Sequence, residues 1–389
     1  MRSRAAFIGT ILLALTVALT GCFLFQPQVK VGFEASTVKG PQPLVVAFTP
    51  VVEETAISFA WDFGDGTTSD EADPVHVYKA AGTYSVSLTV ELPGGCVATE
   101  TKVDFLIVDV SLRKSSPSLV YWVNDRGVLM SGGRGGIGET VIAQRFFSLG
   151  AMQSAGNKLY WVDMSLQSIL RANLDGTGQE TLVHGRETNY LPVDLAVDPV
   201  GEKVYWVCLP HDTPIEDAGD YAWVWLGGIH RADLDGSNVE TLITYESGWD
   251  ENDYATEIAV DSVRGRVYWC LQSESSWKLQ YSPTDSWAPQ TVGGDLPGSP
   301  RGLALNTISE IGARYAYFIT GHKVQRLRIA GGEPVDVLDG IEWPRDIAVD
   351  ALEGKLYVAT WDGIIRANLN GSESEVIFSD EEVEVLTLR

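Results

Sequence analysis

An all-β chain is predicted: a two-sheet sandwich followed by a six-bladed β-propeller closed by the C-terminal strand. Six copies of one strand pattern carry the ring: Leu119-Val-Tyr-Trp-Val123, Leu159-Tyr-Trp-Val-Asp163, Val204-Tyr-Trp-Val-Cys208, Val267-Tyr-Trp-Cys270, Tyr315-Ala-Tyr-Phe-Ile-Thr320 and Leu356-Tyr-Val-Ala-Thr360. Their tyrosines recur every 39 to 63 residues, close to the roughly 40 to 45 of a four-stranded blade once loops are inserted. Asp175-Gly176, Asp235-Gly236 and Asn370-Gly371 supply two-residue turns that need positive φ. Upstream, Gly82-Thr-Tyr-Ser-Val-Ser-Leu-Thr-Val90 sets Tyr84, Val86, Leu88 and Val90 on one face and hydroxyl residues on the other, the alternation of a half-buried strand.

In chain order, residues 1–21 read as a processing signal. Arg2 and Arg4 precede the apolar stretch Ala5 to Leu19, which runs into Leu19-Thr-Gly-Cys22. Small residues before a cysteine resemble the bacterial lipobox, and the stretch is short for a membrane-crossing helix. The resemblance implies cleavage before Cys22, diacylation of its thiol and a chain anchored by lipid in the cell envelope, outside the cytoplasm. Residues 22–28 form the tether.

Residues 29–109 make the sandwich. Leu44-Val-Val-Ala-Phe48 and Ile57-Ser-Phe-Ala-Trp61 alternate as strands, and Trp61-Asp-Phe-Gly-Asp-Gly-Thr67 reads as a tight turn. Its glycines permit positive φ, and Asp62 and Asp65 can accept bonds from its amides. With His76-Val-Tyr78 and the strand ending at Val90, these stretches resemble the PKD domain, an immunoglobulin-like module of extracellular proteins. The resemblance implies a spacer or adhesive unit without catalytic machinery. Asp62, Asp65, Asp70 and Asp73 fit turn formation better than a calcium loop, which needs regular ligand spacing. No cofactor is indicated. A linker, residues 110–117, leads to the propeller, residues 118–389.

Within a blade, Asp194-Leu-Ala-Val-Asp198 reads as the innermost strand, Lys203 to Cys208 as the second, Ile229 to Leu234 as the third and Val239 to Ile243 as the outermost. Asp198 to Tyr205, Asp261 to Tyr268, Asp350 to Tyr357 and Gln153 to Tyr160 each span seven residues, which predicts one fixed hairpin. The first blade has no innermost strand upstream of Tyr121, and the tail Val383-Glu-Val-Leu-Thr-Leu-Arg389 alternates like one, so it is expected to close the ring and remove its open edges. The Tyr-Trp strands, the Arg-Ala-Asn-Leu-Asp-Gly hairpins and the Leu-Ala-Val-Asp strands resemble the YWTD propeller of low-density lipoprotein receptors. Asp fills the fourth motif position only at Asp163, with Asn124 nearest to it, a departure that bears on the family's inter-blade hydrogen bonds. The flanking EGF-like modules of those receptors are absent. Cys208 and Cys270 lie on the second strands of consecutive blades, one in phase with tryptophan and the other with tyrosine. They read either as a disulfide across the interface or as two small buried hydrophobes.

With 52 acidic against 28 basic residues the formal charge is -24, which repels polyphosphate and excludes nucleic acid as a partner. The large insertions, Pro210 to Gly227, Tyr245 to Thr256, Ser273 to Ser276 and Ser282 to Pro300, are expected on one rim. They gather Tyr221, Trp223, Trp225, Tyr245, Trp249, Asp250, Tyr254, Trp277 and Trp287, a composition suited to stacking on sugar rings or to a protein hot spot. The five histidines show no metal-ligand spacing, and no nucleophile elbow or phosphate loop is present. Glu257, Arg301 and Arg345 stand at the starts of innermost strands and form a candidate channel site. The leading expectation is a lipid-anchored binding or adhesion protein whose rim takes an extracellular protein or carbohydrate. The alternative is a metal-dependent lactonase or lyase working in the channel.

Overall fold

The computed structural model describes residues 30–52, 55–93, 95–109, 119–144, 148–185, 191–214, 223–247, 253–273, 276–307, 314–379 and 382–389. Among the described residues the ordered elements are β-strands. The chain divides into two compact units, one reaching Leu112 and the other comprising Arg113–Ser309 and Ala313–Arg389. Cys22, the tether and the linker lie outside the described residues.

The first unit packs a three-stranded sheet (Val31–Ala35, Leu44–Val52, Val75–Tyr78) on a five-stranded one whose centre is Gly82–Leu92 and Cys96–Asp109. Alternation sets the core: Val86, Leu88, Val90 and Leu92 are buried with Val46, Phe48 and Trp61, while Ser87 and Thr89 hydrogen-bond Thr101 and Thr99 on the other face. The aspartates of the Gly-rich turn act locally. Asp62 accepts from Gly64 N at 2.9 Å, and Asp65 accepts from Thr67 N and from His76 at 2.7 Å. Gly64 has φ of 79°, and a Cβ there would lie 2.2 Å from Ser85 O, so no other residue fits.

The second unit is a ring of six four-stranded antiparallel sheets. Val383–Leu388 pairs with Leu119–Asn124 and is the innermost strand of blade 1, as its alternation predicts. The innermost strands touch in circular order through all six blades, so the ring closes.

The Tyr-Trp dipeptide has a packing reason. Consecutive residues of a strand face opposite sides of the sheet, so each tyrosine enters the interface with the following blade and each tryptophan the interface with the preceding one. Tyr121 meets Trp161, Tyr160 meets Trp206, Tyr205 meets Trp269 and Tyr268 meets Phe318. The same parity separates the two cysteines. Cys208, on the tryptophan side, packs with Tyr160 of blade 2, whereas Cys270, on the tyrosine side, packs with Phe318 of blade 5. Both are buried free thiols, so the disulfide reading is corrected: the side chains diverge.

Third-strand arginines clasp the blades. Arg171 pairs with Glu180 and donates to Leu234 O of the next blade, Arg231 pairs with Glu240 and donates to Thr284 O, and Arg366 pairs with Glu375 and donates to Arg134 O. Fourth-position groups serve their own strands' turns instead, with Asp163 accepting from Leu166 N and Asn124 from Val128 N. Glycines after the hairpin Asp or Asn permit close approach as well as positive φ: a Cβ at Gly371 would lie 1.9 Å from Val337 O of the preceding blade.

One hairpin differs from expectation. Asp198, Asp261 and Asp350 pair with the residues two before their tyrosines and cap four-residue turns, but Gln153 sits directly opposite Tyr160. Ala155 holds the aspartate's place, because the blade 2 turn is only Gly156 and Asn157. Equal spacing concealed a two-residue shift in register.

Candidate functional site: channel and mouth of the ring

The connections divide between two rims. Turns joining first to second and third to fourth strands lie on the hairpin rim, while those joining second to third strands and successive blades lie at the mouth. The innermost strands enclose a cavity of about 220 Å³, lined by Asp194, Glu257 and Asp346 among apolar neighbours.

These three acids occupy one level of the ring, each two residues before the alanine that faces its blade's tyrosine. Each joins its blade to the next. Asp194 accepts from Leu195 N at 2.7 Å and from Ile258 N of blade 4 at 2.7 Å. Asp346 accepts from Ile347 N at 2.8 Å and from Leu386 N of blade 1 at 2.9 Å. Glu257 accepts from the Gly302 amide of blade 5. Gln153 accepts from Val197 N, and Thr387 accepts from Ser154 N, so blades 2 and 1 use neutral groups for the same task. At Gly302, φ is 56° and a Cβ would stand 3.0 to 3.2 Å from Ile347 and Asp346, so a side chain there would be strained and crowded.

Burial pushes the Asp346 carboxyl up to about 6. Burial, then the neighbouring Asp346 charge, raises Asp194, and burial followed by the Asp194 and Asp346 charges raises Glu257 well above the ordinary carboxylate range. The acids therefore hold protons more tightly than free carboxyls, although backbone amides oppose the shift.

Of the channel residues expected from sequence, Glu257 lines the cavity. Arg301 is exposed, yet near enough for its charge to act on Glu257, and Arg345 is bound to Glu382 and Glu384. Asp194 and Asp346 were missed, though the repeated acid before Leu/Ile-Ala-Val-Asp at Asp194, Glu257 and Asp346 was legible.

The expected rim cluster is also redistributed. Tyr254 and Trp277 meet edge to face at 5.9 Å in blade 4. Tyr245 is largely buried against Ala255, Trp269 and their neighbours, and burial raises its phenol. Trp287 lies in the turn between Ser276–Pro283 and Gln290–Leu296, on the hairpin rim, where it packs on Tyr205 at 6.0 Å. It wedges two blades together and is not a mouth residue. Pro210 to Gly227 is not a free loop either: strands Lys203–Pro214 and Trp223–Asp233 extend the hairpin, pairing Pro214 with Trp223. Tyr221, Trp249, Asp250 and the side chains of Trp223 and Trp225 lie outside the described residues.

Two tryptophans that sequence reasoning passed over stand at the mouth. Trp343, between blades 5 and 6, is 63% exposed, and Trp361, in the blade 6 turn, is 51% exposed. Trp361 lines a cleft of about 580 Å³, which shares Asp362 and Val376 with a second cleft of about 340 Å³ lined by Glu342, the neighbour of Trp343. The signal was present: each is a lone tryptophan in a turn where the repeat calls for no apolar residue.

Residues 25–108 match the PKD domain model, and residues 157–199 match the model of the low-density lipoprotein receptor repeat class B. The first unit is a PKD domain, and the ring carries the receptor repeat. Collagenase ColA of Bacillus cereus is 66% identical over 35 residues, 9% of this chain and 4% of that protein. A human low-density lipoprotein receptor-related protein 5-like protein is 27% identical over 140 residues, 28% of this chain and 53% of that protein. The chain thus spans a small part of the collagenase and about half of the human relative. Among solved structures, the nidogen/laminin complex matches with a TM-score of 0.54 at 19% identity, covering 70% of this chain and 97% of that one. That likeness shows the fold alone.

Proposed function

We propose that this protein is a lipid-anchored binding protein of the cell envelope, in which the PKD domain is a spacer and the propeller mouth recognises an extracellular ligand. One contrast carries the reading. The channel carboxyls are engaged in holding blades together, whereas Trp343 and Trp361 leave half or more of their surface exposed at the mouth. Exposed indoles on a rigid scaffold are recognition groups. The repeat and module matches support a binding role, and the Cys22 motif supports the anchor.

A channel enzyme would need carboxylates free to take a metal or a substrate proton. Asp194, Glu257 and Asp346 each already accept a backbone N–H from the neighbouring blade. The reading is tested by probing arrays of glycans and cell-surface proteins with the full chain. Retention of a ligand that is lost in Trp343→Ala or Trp361→Ala supports it. Retention mapped to the PKD domain alone, or turnover abolished by Glu257→Gln, overturns it. Separately, Cys22→Ala is expected to move the protein from the membrane fraction to the soluble one.

A further inference from the structure

The mouth between blades 5 and 6 is built to hold an indole in water. Residues 339–345 are pinned at both ends. Ile341 is buried in the interface of blades 5 and 6, Ile341 N donates to His322 O at 2.9 Å, His322 Nδ1 donates back to Ile341 O at 3.0 Å, and Arg345 N donates to Ala359 O. Pro344 is buried while Glu342 and Trp343, between these anchors, are exposed. Trp343 adopts φ of 45°, a left-handed conformation unfavourable for a bulky residue. Among the described residues its one ring contact is the edge of His322 at 6.1 Å.

Trp361 is held as firmly. Thr360 is buried, and its hydroxyl donates to Gly363 O and accepts from Asp362 N, fixing the turn. Gly363 has φ of 125°, and a Cβ there would lie 1.9 Å from Phe378 O. Two preset aromatic plates bind with little ordering cost.

Their surroundings select the ligand. Protein interfaces deplete charge around their aromatic anchors, yet Asp339, Glu342 and Asp362 line the smaller cleft, and Asp125, Arg126 and Glu382 line the larger. Carboxylates offer two acceptor oxygens each and no donor, which suits pairs of hydroxyls at the edge of a ring whose C–H face lies on an indole. The clefts have the size of small-ligand sites. An overall charge of -24 and the acids at the mouth repel anionic polymers.

We infer that Trp343 and Trp361, with Glu342 and Asp362, form a binding site for a neutral polysaccharide. This rests on the mouth being the recognition surface and adds the ligand class. The test titrates the full chain in detergent, by calorimetry and tryptophan fluorescence, with neutral hexaoses of β-1,4-linked glucose, xylose, mannose and N-acetylglucosamine. Polygalacturonate is the anionic control. The expected result is binding of at least one neutral hexaose, no binding of polygalacturonate, and a loss of about tenfold or more in affinity, worth about 1.4 kcal/mol, in Trp343→Ala and in Trp361→Ala with unchanged melting. Failure of every hexaose, or affinity unchanged in both variants, overturns the carbohydrate assignment. If a protein from the array is instead retained through Trp343, the carbohydrate assignment falls while the mouth remains the recognition surface.

Discussion

Two tryptophans, one on each rim, share a backbone state and differ in everything else. Trp287 on the hairpin rim has φ of 44° and packs on Tyr205 across a blade interface; Trp343 at the mouth has φ of 45° and is 63% exposed. The first conformation is offset by inter-blade packing. The second has only the edge of His322 as a ring contact among the described residues. Strain without packing marks a residue retained for something outside the fold, and the same division separates the channel, where acids tie blades together, from the mouth.

The largest expected effect tests the ring on which both rims depend. Deleting Val383 to Arg389 removes the innermost strand of blade 1 and exposes the edge of Leu119–Asn124 that it pairs with. Loss of the propeller's cooperative melting transition is expected in calorimetry, and an unchanged transition would break the closure. Trp287→Ala comes next, with a destabilisation of about 2 to 4 kcal/mol in denaturant titration, as for large aromatics removed from packed sites.

Asp346→Ala should cost about 1 to 3 kcal/mol, because it leaves the Leu386 amide of blade 1 without its acceptor. Ligand binding should be unaffected. The same carboxyl sets a pH dependence. Its folded pKa, about 6, lies above the ordinary value of 3.8, so the folded state binds the proton more tightly. That contribution is complete below about pH 4 and lost as pH rises through about 6, on the order of 1 to 3 kcal/mol. Melting temperature should fall from pH 5 to 7 in the native chain, and the slope should flatten in Asp346→Asn. Equal slopes would place the titration elsewhere.

The ring was legible because blade packing is periodic. Tyr121 to Tyr357 repeat for one physical reason, and the closing strand shows as alternation where an innermost strand was missing. Register was less legible, since Gln153 matched the spacing of Asp198 while a shorter turn shifted it by two residues. The site was read least well. Long insertions drew attention to Tyr245 and Trp287, which the structure uses for packing, while Trp343 and Trp361 are lone tryptophans in short turns, a fainter signal than an aromatic-rich insertion. Exposure and φ distinguish them, and both are properties of the folded chain.

The smallest stability effect decides the comparison. Glycine tolerates positive φ without strain, so Trp287→Gly and Trp343→Gly relieve the same backbone cost and differ only in what the indole contributes. Parallel thermal melts should show Trp287→Gly destabilised by about 2 to 3 kcal/mol and Trp343→Gly at or slightly above the native chain, within about 0.5 kcal/mol. If Trp343→Gly melts as low as Trp287→Gly, the mouth tryptophan belongs to the fold and its assignment to ligand recognition is wrong.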